Sequence, residues 1–177
     1  HGLLKWIKGI GMLQGKNYIG GEWFDEGPKF DKLNPCNQEV IGEFPQTTPN
    51  MISNAYITAR EAFKSWKKVS RVKRGDYFYD VCKIIERRRE ELAKAISLET
   101  GKTYNESIAE VNEALHMAQF TFGSGRQPIG EAVSSEIADK DAYMLRKPKG
   151  VIAIVSPFNF PVAIGAFWCA APAIVEG

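Results

Sequence analysis

Three observations place this sequence in the α/β class. Residues 49 to 122 carry an almost unbroken helical pattern. Gly150-Val151-Ile152-Ala153-Ile154-Val155 is a β-branched apolar run of strand length, and a second apolar run that reads as a helix follows it. A strand apolar on both sides suits a parallel sheet covered on both faces. Between the two lies a charged stretch, 133–149, whose loose alternation of polar and apolar residues reads as a β-ribbon. The predicted architecture is a helical layer, the start of a Rossmann-like parallel sheet and a hairpin arm. One βα unit cannot close a parallel sheet, so the expected fold is incomplete within these 177 residues.

The elements follow in order. His1 to Lys16 is apolar and Gly-rich, without a small-residue cleavage site and too interrupted to span a bilayer; it reads as a poorly ordered leader. Tyr18 to Trp23 reads as a strand and turn on Gly20-Gly21, and Glu39 to Phe44 as a strand that partners it. Thr48-Pro49 opens a helix, with Ile52, Ala55, Ala59, Ala62, Phe63 and Trp66 as its stripe. A second helix runs from about Val72 to the run Arg87-Arg88-Arg89, and a third stops near Gly101. Thr103 and Glu106 have the spacing of a capping box for the fourth, which carries Ile108, Val111, Leu115, Ala118 and Phe122. The ribbon turns at Asp139-Lys140-Asp141; it is either a solvated surface hairpin or an arm that pairs with another subunit. Val162 to Val175 is apolar nearly all round and reads as a buried helix. The domain reading is thus a leader at 1–16, a main unit at 17–132 and 150–177, and a ribbon at 133–149.

Composition narrows the functional classes. The formal net charge is +2, which gives no basic stripe for nucleic acid, and glutamates surround the one arginine run. Cys36, Cys82 and Cys169 are few, odd in number and lack CxxC spacing, so neither a disulfide framework nor a zinc site is expected. Reduced thiols fit a cytoplasmic protein. With His1 and His116 as its two histidines, the sequence has little material for a metal site or a Ser-His-Asp triad.

The chemistry concentrates in Ser156-Pro157-Phe158-Asn159-Phe160-Pro161. Ligands of open α/β sheets bind beyond the carboxyl ends of strands, which is where this segment falls. Two prolines stiffen it, Pro161 at the first turn of the expected helix. Free N–H groups at a helix start attract anions such as a cofactor phosphate. Asn159 has two readings. Position and residue type favour a helix N-cap; its amide could instead donate to a carbonyl oxygen that becomes an oxyanion.

That hexapeptide, preceded by Pro148-Lys149-Gly150-Val151, resembles the T/S-P-W-N-F-P hallmark of the aldehyde dehydrogenase superfamily. Tyr18 to Trp23, Asn34-Pro35 with Glu39-Val40-Ile41, Leu98 to Lys102, and Ala171 to Gly177 resemble further family elements in the same order. The resemblance implies NAD or NADP as cofactor and an aldehyde as substrate. It makes Asn159 the oxyanion donor of a cysteine thiohemiacetal. Ser156, Pro157, Phe158 and Asn159 become the cofactor-binding loop, with Phe158 in place of the commoner Trp. It makes 133–149 the arm of a homo-oligomer, dimer or tetramer, and gives Glu99 and Lys102 structural roles.

The family's nucleophilic cysteine and general-base glutamate match positions beyond Gly177, so this amino-terminal portion is expected to be inactive by itself. Cys169 is expected to be inert through burial in its helix. Phe167 and Trp168 are candidate walls of the substrate tunnel. Glu110 to Leu115, with Phe158 to Ala163, resembles the semialdehyde-oxidising branch. The alternative is a non-catalytic helical interaction module.

Overall fold

The computed structural model describes residues 13–177. Most of the expected leader, residues 1–12, lies outside the described residues. Its last part does not behave as a leader: Leu13–Gln14 forms β1, and Gly15 N–H donates to the Glu43 carbonyl at 2.9 Å.

Asn17–Ile19 (β2) and Glu22–Phe24 (β3) pair as a tight hairpin across Gly20-Gly21, both of which have positive φ. The expected partnership between Glu39–Phe44 and this hairpin is not formed. Val40–Pro45 (β5) pairs antiparallel with Lys29–Leu33 (β4) and parallel with β1, in the order β1-β5-β4. Strand β4 breaks the alternation that sequence reading relies on, since Lys29, Asp31 and Lys32 surround Phe30.

The helical layer follows as Pro49–Trp66 (α1), Arg71–Arg87 (α2), Arg89–Thr100 (α3) and Tyr104–Ser124 (α4). Each start has a chemical cause. Thr48 and Ser70 accept hydrogen bonds from Met51 and Lys73 N–H. Thr103 and Glu106 complete the capping box in both directions. Helix α3 ends on Gly101 in the left-handed region, φ 75°. Helices α2 and α4 approach through glycine: a Cβ on Gly75 would stand 3.0 Å from the Phe122 carbonyl oxygen, and one on Gly125 2.9 Å from that of Arg71.

The core sits between these helices and the last one, Ala171–Glu176 (α5). Phe78, Cys82 and Ile85 of α2, Ala93 and Ile96 of α3, Val111 and Ala118 of α4, and Ala171 and Val175 of α5 are all buried. Burying a large apolar side chain contributes about 1.5–3 kcal/mol. Arg74 fastens α5 from beneath. Buried, it donates to the carbonyls of Val69 (2.7 Å), Val175 (2.8 Å) and Glu176 (3.2 Å). Trp66 Nε1 donates to the Ile174 carbonyl at 2.9 Å, and Arg71 pairs with Glu176.

Gly130–Val133 (β6) and Ala142–Leu145 (β7) form the ribbon, which begins three residues earlier than expected and turns through a wider connection. Neither strand buries a residue. The Gly150–Val155 run joins no strand, and residues 151–155 are exposed, Val155 by 97%. The expectation of a strand buried on both faces is corrected here: among the described residues no neighbour offers it a ladder. Across from it lies the apolar side of α1, leaving a cleft between Ala59, Phe63 and Trp66 on one wall and Val151, Ile152 and Ile154 on the other. Helix α1 itself has no buried residue. No helix among the described residues is long and apolar enough to cross a membrane.

Candidate active site

The apolar stretch from Ala163 is helical but not an ordinary α-helix. Ala163–Ala170 is wound as a π-helix and passes into α5 at Ala171. The widening ends beside Pro172, which has no N–H to give and whose ring crowds the carbonyl four residues back. Nor is the stretch buried all round. Trp168 and Cys169 face outward, while Ala163, Ala171 and Val175 face the core. Cys169 is therefore exposed, and the burial argument for its inertness does not hold. Cys36 is also exposed; Cys82 is buried in α2, where loss of water, then the nearby Glu86 carboxylate, push its thiol up.

The loop between the 150–155 run and the π-helix is held at three places. At its start, Ser156 lies directly against the bare backbone of Gly165, where a Cβ would stand 2.9 Å from Ser156 Cβ. At Phe160, the Lys102 ammonium sits 4.0 Å from the ring centroid. At the helix start, Glu110 Oε1 accepts hydrogen bonds from Val162 N–H (2.9 Å) and Ala163 N–H (3.3 Å). Its Oε2 accepts one from Lys102 Nζ at 2.6 Å. Glu110 is 1% exposed, so this ion pair is nearly dry.

Between these anchors Ser156, Pro157, Phe158 and Asn159 are exposed, Phe158 by 91%. Two expectations change. The helix N-terminus does attract an anion, but the anion is Glu110, so Val162 and Ala163 N–H are not free for a phosphate. Asn159 is not the helix N-cap: that position is Val162, without a side-chain cap bond, and Pro161 stands just before it rather than in the first turn. Exposed backbone and an exposed aromatic face suit contact with the flat ring and ribose of a nicotinamide cofactor. The phosphate groups find no counterpart at this helix start.

Lys102 and Glu110 are the site residues that sequence reasoning missed in this role. A signal existed: Glu110 falls on the same face of α4 as Ser107, Val111, Ala114 and Ala118, all buried. A carboxylate in such a stripe needs a partner. Glu99, by contrast, reaches Lys32 of β4 across 3.7 Å at the surface. Among the described residues no group of three His, Cys, Asp or Glu could hold a metal ion.

The aldehyde dehydrogenase family model matches residues 23–177. This chain belongs to the aldehyde dehydrogenase family. Malonate-semialdehyde dehydrogenase 2 of Oceanobacillus iheyensis is 37% identical over 164 residues, 92% of this chain and 34% of that enzyme. Alpha-ketoglutaric semialdehyde dehydrogenase of Bacillus subtilis is 36% identical over 166 residues, 91% of this chain and 33% of that enzyme. A double mutant of betaine aldehyde dehydrogenase from Staphylococcus aureus, solved with NAD+, superposes with a TM-score of 0.89 at 31% identity, covering 99% of this chain and 36% of that one. This aldehyde dehydrogenase chain thus spans about one third of the length of the relatives it matches.

Proposed function

We propose that this chain supplies the amino-terminal part of an enzyme that oxidises an aldehyde to a carboxylic acid with NAD or NADP. Asn159 is its oxyanion donor. The observation that carries this reading is the Asn159 amide, exposed on a loop that is anchored on both sides. In the family reaction a cysteine thiolate adds to the aldehyde carbon, and the carbonyl oxygen takes up the negative charge. An amide N–H fixed at that oxygen stabilises it more than the uncharged carbonyl, which lowers the barrier. Bound NAD or NADP supplies the hydride acceptor. Ser156, Pro157 and Phe158 line its nicotinamide-ribose region.

The semialdehyde names of the relatives support an aldehyde that also bears a carboxylate as the substrate class. The ribbon of β6 and β7, which buries nothing of its own, pairs two copies of the enzyme in a cytoplasmic homo-oligomer. Nucleophile and general base come from elsewhere in the enzyme, so the 177-residue chain by itself turns over no aldehyde.

The test is Asn159→Ala in the full-length enzyme. Loss of an oxyanion donor lowers kcat by about 100- to 1000-fold. Unchanged turnover overturns the assignment. A second reading, of this chain alone as a non-catalytic interaction module, is favoured by its exposed run 151–155. Calorimetric titration of the isolated chain with NAD checks where the cofactor is held: weak or no binding is expected, and micromolar binding would defeat the module reading and show that this chain holds the cofactor phosphates after all.

A further inference from the structure

We infer that Lys102 and Glu110 are positioning residues for the Asn159 amide, an inference that rests on the oxyanion reading of Asn159. Residues 150 to 163 contain no charged side chain. The electrostatics of the loop are therefore imposed from the helical layer, and by one ion pair. Glu110 spends both carboxylate oxygens: Oε1 on the two N–H groups that begin the π-helix, Oε2 on Lys102. Lys102 spends its charge twice, on Glu110 and on the face of Phe160. The residue immediately after Asn159 and the third and fourth after it are thus tied to a single buried pair.

The arrangement is more than a helix cap. A neutral, well-packed pair commonly stabilises a fold as well as a buried ion pair does. A charged pair adds directional hold on backbone that must not rotate. An oxyanion donor has to be kept within about 0.5 Å of its working position, and a displacement of about 1 Å can cost about 100-fold in rate. Asn159 itself has no side-chain anchor at the helix start, where Val162 is the cap. Its position is inherited from the residues that follow it.

The experiment is a double-mutant cycle in the full-length enzyme. Glu110→Gln and Lys102→Gln each lower kcat about tenfold or more, with the aldehyde KM changed less than about threefold. Lys102→Arg keeps most of the rate. In an Asn159→Ala background, Glu110→Gln changes kcat less than about twofold, because the donor it positions is already gone. The inference is overturned if Glu110→Gln costs the same factor in both backgrounds. It is also overturned if melting temperature falls while kcat holds. Should Glu110→Gln fail to fold, the partly exposed Lys102 carries the same cycle. A slow Asn159→Ala enzyme with additive Glu110→Gln defeats this inference alone; an unimpaired Asn159→Ala enzyme defeats the Asn159 assignment as well.

Discussion

Gly165 leaves room for Ser156: a Cβ on residue 165 would stand 2.9 Å from the Cβ of Ser156 and 3.0 Å from its Oγ. Gly165→Ala therefore has two opposed effects. Replacing helical glycine contributes up to about 1 kcal/mol of propensity, while overpacking against Ser156 costs about 1–3 kcal/mol. The denaturation midpoint should move little, and the loop should move visibly. The expected readout is a several-fold rise in the NAD KM of the full-length enzyme with near-normal stability. Unaltered cofactor kinetics would show that the loop tolerates the shift.

Arg74 is the tie between α2 and the last helix. Burial opposes its charge, yet its guanidinium answers at least three carbonyls within 3.2 Å. Arg74→Ala leaves those acceptors without a donor and should cost about 3 kcal/mol in chemical denaturation. Arg74→Lys should recover only part, because an ammonium cannot span the same fork.

Glu106 is held below the ordinary carboxylate value of 4.5, first by the Thr103 side-chain hydrogen bond and then by the Thr103 backbone N–H. The folded state therefore binds this proton less tightly than the unfolded chain. The stability it brings is fully present above pH 4.5 and is lost as pH falls through the lower folded value. Melting temperatures between pH 3 and 6 should show Glu106→Gln with a shallower acid slope than the parent. Equal slopes would mean the capping box is not formed in solution. Thr103→Ala, which removes the other half, should cost about 1 kcal/mol at neutral pH.

Thiol chemistry separates the three cysteines. Cys36 and Cys169 are exposed, and Cys82 is buried with its thiol pushed up. Brief alkylation of the native chain at pH 8 should label Cys36 and Cys169 and leave Cys82 intact by mass spectrometry. Labelling of Cys82 at the same rate would mean that the α2–α4 core opens freely.

Helices were legible wherever the local chemistry decided them. Thr48-Pro49, Thr103 with Glu106, and Gly101 marked the ends of helices that form there. Strand partners were not legible, because pairing depends on residues far apart: β5 pairs with β4 and β1, not with the nearer hairpin. The exposed face of 151–155 was hidden for a related reason. An apolar run states what a segment needs, not whether the chain provides it. At the candidate site, the hexapeptide 156–161 was visible from its residues. Its anchors were not, since Glu110 of α4 and Lys102 of the turn before it approach the loop only through tertiary packing.

The unpaired run at 151–155 also sets how this chain behaves in a crowded solution. Val151, Ile152, Ala153, Ile154 and Val155 are exposed and join no strand among the described residues, an apolar edge whose gatekeepers, Lys149 and Pro157, stand only at its flanks. Such a segment is a template for strand addition, and an identical copy is always the nearest candidate. As the nascent polypeptide leaves the ribosome, this template is displayed as soon as it emerges. Chaperone capture during synthesis, and fibrillar precipitation of the purified 177-residue chain at high concentration, are the behaviours that such a template brings.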